Sequence, residues 1–138
     1  MTQSVFNTAS PSRPVLSFAS SYALMAKQVA LSELVAADPD RYESYRELVR
    51  IAADVYTHRP EAPIAVGGEH VTYGYLQEIF RSLTGEHIEY VLDRLERYEQ
   101  EIRYKKAFLR TSLANSVFEM NVGLTNKVRA DMVRSATE

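Results

Sequence analysis

Between Val15 and Ala37 the apolar positions recur as Leu16, Ala19, Ala23, Met25, Ala26, Val29, Ala30 and Leu34, with Lys27 and Glu33 the only charges. That spacing predicts one helix with a broad apolar face, and its many Ala and Ser side chains permit a neighbouring helix to approach closely. Asp38-Pro39-Asp40 then reads as a fresh start, with Asp38 as a cap and Pro39 in the first turn. Tyr42, Tyr45, Leu48, Val49, Ala52, Val55 and Tyr56 follow at spacings of three and four, opposite Arg46, Glu47, Arg50 and Asp54. This predicts an amphipathic second helix that stops at His58-Arg59-Pro60, because Pro60 disfavours helical angles at Arg59.

The period then changes. Ile64-Ala65-Val66 and Val71-Thr72-Tyr73 flank Gly67-Gly68-Glu69-His70, two short apolar runs about a Gly-Gly turn, which predicts a β-hairpin. A phosphate-binding loop is the weaker reading, since no long strand precedes the glycines, no Lys sits at the required offset and no helix opens on them. Tyr75, Leu76, Ile79, Phe80 and Leu83 predict a short third helix. Thr84 caps a fourth, whose buried face is Ile88, Val91, Leu92 and Leu95, with Glu89, Asp93, Glu96 and Arg97 outside. The phase breaks at Tyr98-Glu99-Gln100. A fifth helix is predicted over 101–118 on a stripe of Ile102, Leu109, Leu113 and Val117 that continues to Met120, presenting Arg103, Lys106 and Arg110 with Lys105 on a flank. A weak apolar pattern over 121–138, of Val122, Leu124, Val128 and Met132 around Gly123, predicts a terminal helix.

The sum is a mainly α fold, a compact bundle of five or six helices with one short β-hairpin. Its packing rests on the fourth and fifth helices joining Ile88, Leu92, Leu109 and Leu113 in one interior. Residues 1–14, rich in Ser, Thr, Asn and Pro, are expected as a flexible tail, and 15–138 as a single domain.

Composition narrows the function classes. Apolar residues at 46% and charged residues at 25% suit a globular protein. Cys is absent, which excludes disulfides, thiolate catalysis and Cys-based zinc sites and points to a reducing, cytoplasmic setting. The N-terminus lacks a signal-peptide pattern and no stretch reaches the length of a membrane span, so no membrane association is expected. The net charge of −2 conceals an uneven distribution. Residues 1–101 hold 9 basic and 15 acidic side chains, and residues 102–138 hold 7 and 3.

Leu83-Thr84-Gly85-Glu86-His87-Ile88-Glu89-Tyr90-Val91-Leu92, then Ile102-Arg103, Lys106-Ala107-Phe108-Leu109, Leu113 and Asn115, resemble the C-terminal domain of plasmid replication initiator A proteins of Gram-positive bacteria. With similar features from Glu47 to Tyr75 the likeness covers about two thirds of the chain. The family-motif residues are His87, Ile88, Tyr90, Val91 and Asn115. Asn115-Ser116-Val117 departs from the family's Asn-Ala-Pro, the polar run opening the fifth helix is replaced by Tyr98-Glu99-Gln100-Glu101, and a Tyr-Tyr pair near Gly123-Leu124 is missing. The resemblance implies a role in plasmid or mobile-element replication without the winged-helix part that binds origin DNA, with a host replication protein or a replication initiator as partner.

Catalysis finds little support. His58, His70 and His87 fall on different elements with no companions at ligand spacing, so no metal, cofactor or enzyme activity is expected. The carboxylates from Glu89 to Glu101 have no apolar cleft to raise a pKa. Two surfaces remain. The Ala-rich first helix is a candidate for homo-oligomer formation. Arg103, Lys105, Lys106 and Arg110 form a basic ridge for a protein partner or, alternatively, for nucleic-acid phosphates. No aromatic residue is expected to interleave on that ridge, and Glu99 and Glu101 lie one turn away, which favours the protein partner.

Overall fold

The computed structural model describes residues 15–120. The expected tail 1–14 and the expected terminal helix over 121–138 lie outside the described residues. Six helices and one two-stranded antiparallel sheet make up the described chain: α1 (Phe18–Gln28), α2 (Leu31–Ala37), α3 (Tyr42–Asp54), β1 (Pro63–Val66), β2 (Glu69–Thr72), α4 (Tyr73–Phe80), α5 (Gly85–Glu96) and α6, which occupies 105–120. Short 3-10 turns, Pro39–Arg41 and Val55–Thr57, flank α3. The mainly α bundle with one hairpin is therefore the fold.

The single helix expected from Val15 to Ala37 is instead two. Ser17 caps α1 by accepting from the Ser20 N–H. After Val29 the chain enters the left-handed region at Ala30, with φ 56°. The break turns α2 back toward α3, and α5 fills the angle so closely that a Cβ on Gly85 would stand 2.9 Å from the Val29 carbonyl oxygen. Ala30 is an unfavoured residue for this backbone, so no local signal announced the break. Asp38 makes no side-chain cap either, and Pro39 opens a 3-10 turn rather than the helix itself.

The second helix agrees with its stripe, with Tyr45, Leu48, Val49, Ala52 and Val55 in the core alongside Ile51 and Ala53. Tyr42 and Tyr75 do not agree; both are exposed. Ser21 donates to the Ala53 carbonyl at 2.6 Å, so the small residues of α1 serve close packing on α3 within the chain.

In the hairpin, Ile64 pairs with Val71 and Val66 with Glu69 across Gly67-Gly68. Both glycines have positive φ, 60° and 87°, the backbone of a two-residue turn matched to strand twist. The Gly67 N–H donates to Thr111 Oγ1, which ties the turn to α6.

Ile88, Leu92, Leu109 and Leu113 are at most 2% exposed, so α5 and α6 do share one interior. The fifth predicted helix begins later than 101, at 105. The Tyr98 ring lies 5.1 Å from that of Phe108, and holding it there requires the chain to reverse over 97–104 rather than spend that length on another turn. Ile102 and Arg103 consequently lie in the connection, not on the helix.

Candidate functional site

The elements bring the notable side chains into three places. The first is an acidic face of α5 that sequence spacing presents as solvated. Arg41, at the end of the 3-10 turn before α3, reaches Glu89 at 2.7 Å, Asp93 at 2.9 Å and Glu96 at 2.8 Å. Asp93 and Glu96, together with the Tyr45 hydroxyl, hold the guanidinium well above its ordinary pKa against the opposing effect of burial. Tyr45 donates to Glu89 at 3.1 Å, and burial raises its own pKa. This cluster locks the start of α3 to α5, with Arg41 engaging Glu89, Asp93 and Glu96 together. Sequence spacing cannot reveal it, because Arg41 lies about fifty positions away from its partners.

The second is a cleft of about 650 Å³ between the C-terminal half of α5 and one side of α6. Tyr98 and Phe108 form one aromatic wall, while Arg94, Arg97, Ser112 and Asn115 contribute polar groups. Across one end, Tyr90 donates to Glu119 at 2.9 Å and accepts from Arg94 at 3.0 Å, while Arg94 pairs with Glu119 at 2.7 Å. The Tyr90 hydroxyl, then the Glu119 charge, raise the Arg94 pKa.

Family-motif residues divide between interior and cleft. His87, Ile88 and Val91 are buried. Tyr90 and Asn115 line the cleft from opposite helices. His87 sits at the third position of α5, where its Nδ1 accepts from the Thr84 N–H at 3.0 Å. Burial lowers its pKa, so the neutral ring is the stable form.

The third place is an open depression of about 500 Å³ where the end of α3, the start of α4 and the start of α6 meet. Lys105, Lys106 and Arg110 line it together with Asp54, His58, Tyr73 and Tyr104. Arg103 does not; it is exposed in the preceding connection. Lys106 lies 3.5 Å from Asp54, and Lys105 lies 3.2 Å from Glu47. His58 contacts the same Asp54 at 3.4 Å and stacks on Tyr73 with centroids 4.1 Å apart. Burial raises the Tyr73 pKa, with Arg110 opposing and Asp54 adding to the shift.

The expectation of a ridge without aromatic residues is thus corrected. Tyr104 precedes the lysines in the connection, and folding brings Tyr73 and His58 in from other elements. Glu99 and Glu101 lie in the connection before α6 and do not line the depression. The run Tyr104-Lys105-Lys106 was the one local signal for this arrangement.

The other expectations meet simpler facts. His58, His70 and His87 stand on three different segments, and among the described residues no group of three or more acidic or histidine side chains is placed to hold a metal. No described helix is long and apolar enough to cross a membrane. On α1, Phe18 and Leu24 are exposed.

The sequence profile of a family of unknown function, DUF6017, matches residues 27–135, a span that includes both the cleft and the depression. No curated protein and no solved structure matches the chain.

Proposed function

The chain belongs to DUF6017, a family of unknown function, and from its own surface we propose that it is a non-catalytic protein-interaction module serving plasmid or mobile-element replication. The observation that carries this reading is the convergence of Tyr90 and Asn115 on one cleft. Of the five motif residues behind the resemblance to replication initiator C-terminal domains, three are consumed by the core, and the two left over face the same groove.

The groove fits a protein segment. Aromatic walls bury apolar side chains with little loss of conformational freedom and suit interfaces. Arg94 and Arg97 outnumber Glu119 around it, which favours a segment carrying acidic side chains beside its apolar ones. The partner fitting this role is a host replication protein or a replication initiator in the cytoplasm.

Affinity capture with the full chain from its native cytoplasm, compared with Asn115→Trp, tests the reading. Asn115 is exposed, so the bulky ring fills the groove without disturbing the core, and an unchanged melting temperature checks this. The expected result is recovery of a replication protein by the parent chain and its loss with Asn115→Trp. Recovery of the same proteins by both, or of no replication protein by either, would overturn it.

A further inference from the structure

We propose that the depression formed by His58, Tyr73, Tyr104, Lys105, Lys106 and Arg110 is a binding site for single-stranded nucleic acid. It lies on a different side of α6 from the cleft and does not depend on the protein-interaction reading.

Charge is the first ground. Lys105, Lys106 and Arg110 come from one and a half turns of α6, and Arg50 stands between Glu47 and Asp54 on the facing side of α3. Among the described residues Glu47 pairs with Lys105 and Asp54 with Lys106, and Asp54 also lies 3.4 Å from His58. Lys105, Lys106, Arg110 and Arg50 against Glu47 and Asp54 leave the locality cationic within a chain whose net charge is −2. Arg110 is half-buried at the depression, its Nε enclosed with no hydrogen-bond partner among the described residues. Arg110 lines the depression, and the outer nitrogens of its guanidinium, rather than the enclosed Nε, are the donors a phosphate oxygen can reach there.

Aromatic geometry is the second ground, and it selects nucleic acid over a free anion. Tyr104 is 72% exposed, an unusual state for so large a residue, and it directly precedes the two lysines. The His58–Tyr73 stack, tilted by only 10°, lies in the same depression. Cations spaced among accessible rings match the demands of a strand, whose phosphates seek charge while its unpaired bases seek flat faces. A duplex hides those faces, and nothing in this shallow depression projects to enter a groove.

The test is fluorescence anisotropy of the full chain with a fluorescein-labelled oligothymidylate and with a duplex of equal length. Three phosphate contacts predict a Kd that rises about 20-fold when salt is raised fourfold. Tyr104→Ala, at an exposed position in a connection, is expected to weaken binding about tenfold. Lys105→Gln with Lys106→Gln should weaken it and flatten the salt dependence by about two contacts. Asn115→Trp, in the cleft, should leave the strand affinity unchanged, so the two surfaces are separable. Absence of saturable binding at low salt overturns the proposal. Equal affinity for duplex and strand together with no effect of Tyr104→Ala also overturns it, leaving a plain polyanion attraction.

Discussion

The Thr84 backbone N–H donates to His87 Nδ1 at 3.0 Å, closing the first turn of α5 with a histidine where capping boxes ordinarily use Glu or Gln. Accepting there places the neutral ring's proton on Nε2, which is buried without a partner among the described residues. Protonation would remove the acceptor and place a charge in an apolar setting, in line with the lowered pKa that burial produces. The folded pKa lies below the ordinary 6.5, so the unfolded chain binds the proton first as pH falls. Stability due to the neutral ring is complete above about 6.5 and is lost as pH drops toward the folded value. His87→Gln retains an acceptor for the Thr84 N–H and removes the titration. Urea unfolding between pH 7.5 and 5 should show a shallower acid-side loss in this variant, and identical slopes would disprove the role.

Gly85 and Ala30 face each other's elements with opposite needs. Gly85→Ala adds a methyl 2.9 Å from the Val29 carbonyl oxygen and 3.3 Å from Leu34. Although Ala favours helices, the clash is expected to cost about 1–3 kcal/mol. Ala30→Gly relieves a left-handed backbone at φ 56° and should stabilise by about 0.5–1 kcal/mol. Thermal melts of the two variants moving in opposite directions is the expected outcome; a stabilised Gly85→Ala would contradict the close approach.

Arg41→Ala leaves Glu89, Asp93 and Glu96 to repel one another. Their side chains are 37%, 53% and 58% exposed, so solvent screens each pair and the total loss is about 1–2 kcal/mol rather than the sum of three buried ion pairs. The deficit should shrink at high salt. A difference from the parent chain that is independent of salt would mean that Arg41 acts through packing alone.

Gln77 is 3% exposed on α4, and its amide nitrogen donates to the carbonyls of Val55 and His58 at 3.1 and 3.2 Å. Gln77→Glu keeps the shape but turns the donor into an acceptor facing two carbonyls. Destabilisation of at least about 1–3 kcal/mol is expected at neutral pH, easing on acidification as the carboxyl regains a proton. A melting temperature equal to that of the parent chain at pH 7 would show that these bonds contribute nothing.

Helix type, the hairpin and the core stripe were legible locally. Amphipathic spacing from Tyr45 to Val55 exposes the need to hide one face, and Gly67-Gly68 is the residue pair a two-residue turn requires. Thr84 was readable as a cap because its partner lies within one turn. The break at Ala30 was not legible, since Ala gives no hint of left-handed backbone and the reason lies in α5, whose Gly85 presses against Val29. The late start of α6 likewise follows from the seating of Tyr98 on Phe108.

Of the candidate surfaces, sequence determined the chemistry and the fold determined the company. Arg103, Lys106 and Arg110, with Lys105 on a flank, were read as one basic ridge from helical periodicity, and Arg103 left it because the helix begins only at 105. That the run would meet Asp54, His58 and Tyr73 depended on how α3, α4 and α6 pack, as did the gathering of three α5 carboxylates around Arg41. Short-range periodicity arises from backbone geometry that each residue carries with it. Long-range neighbours arise only when distant apolar faces are buried together, and that choice is made by the whole chain at once.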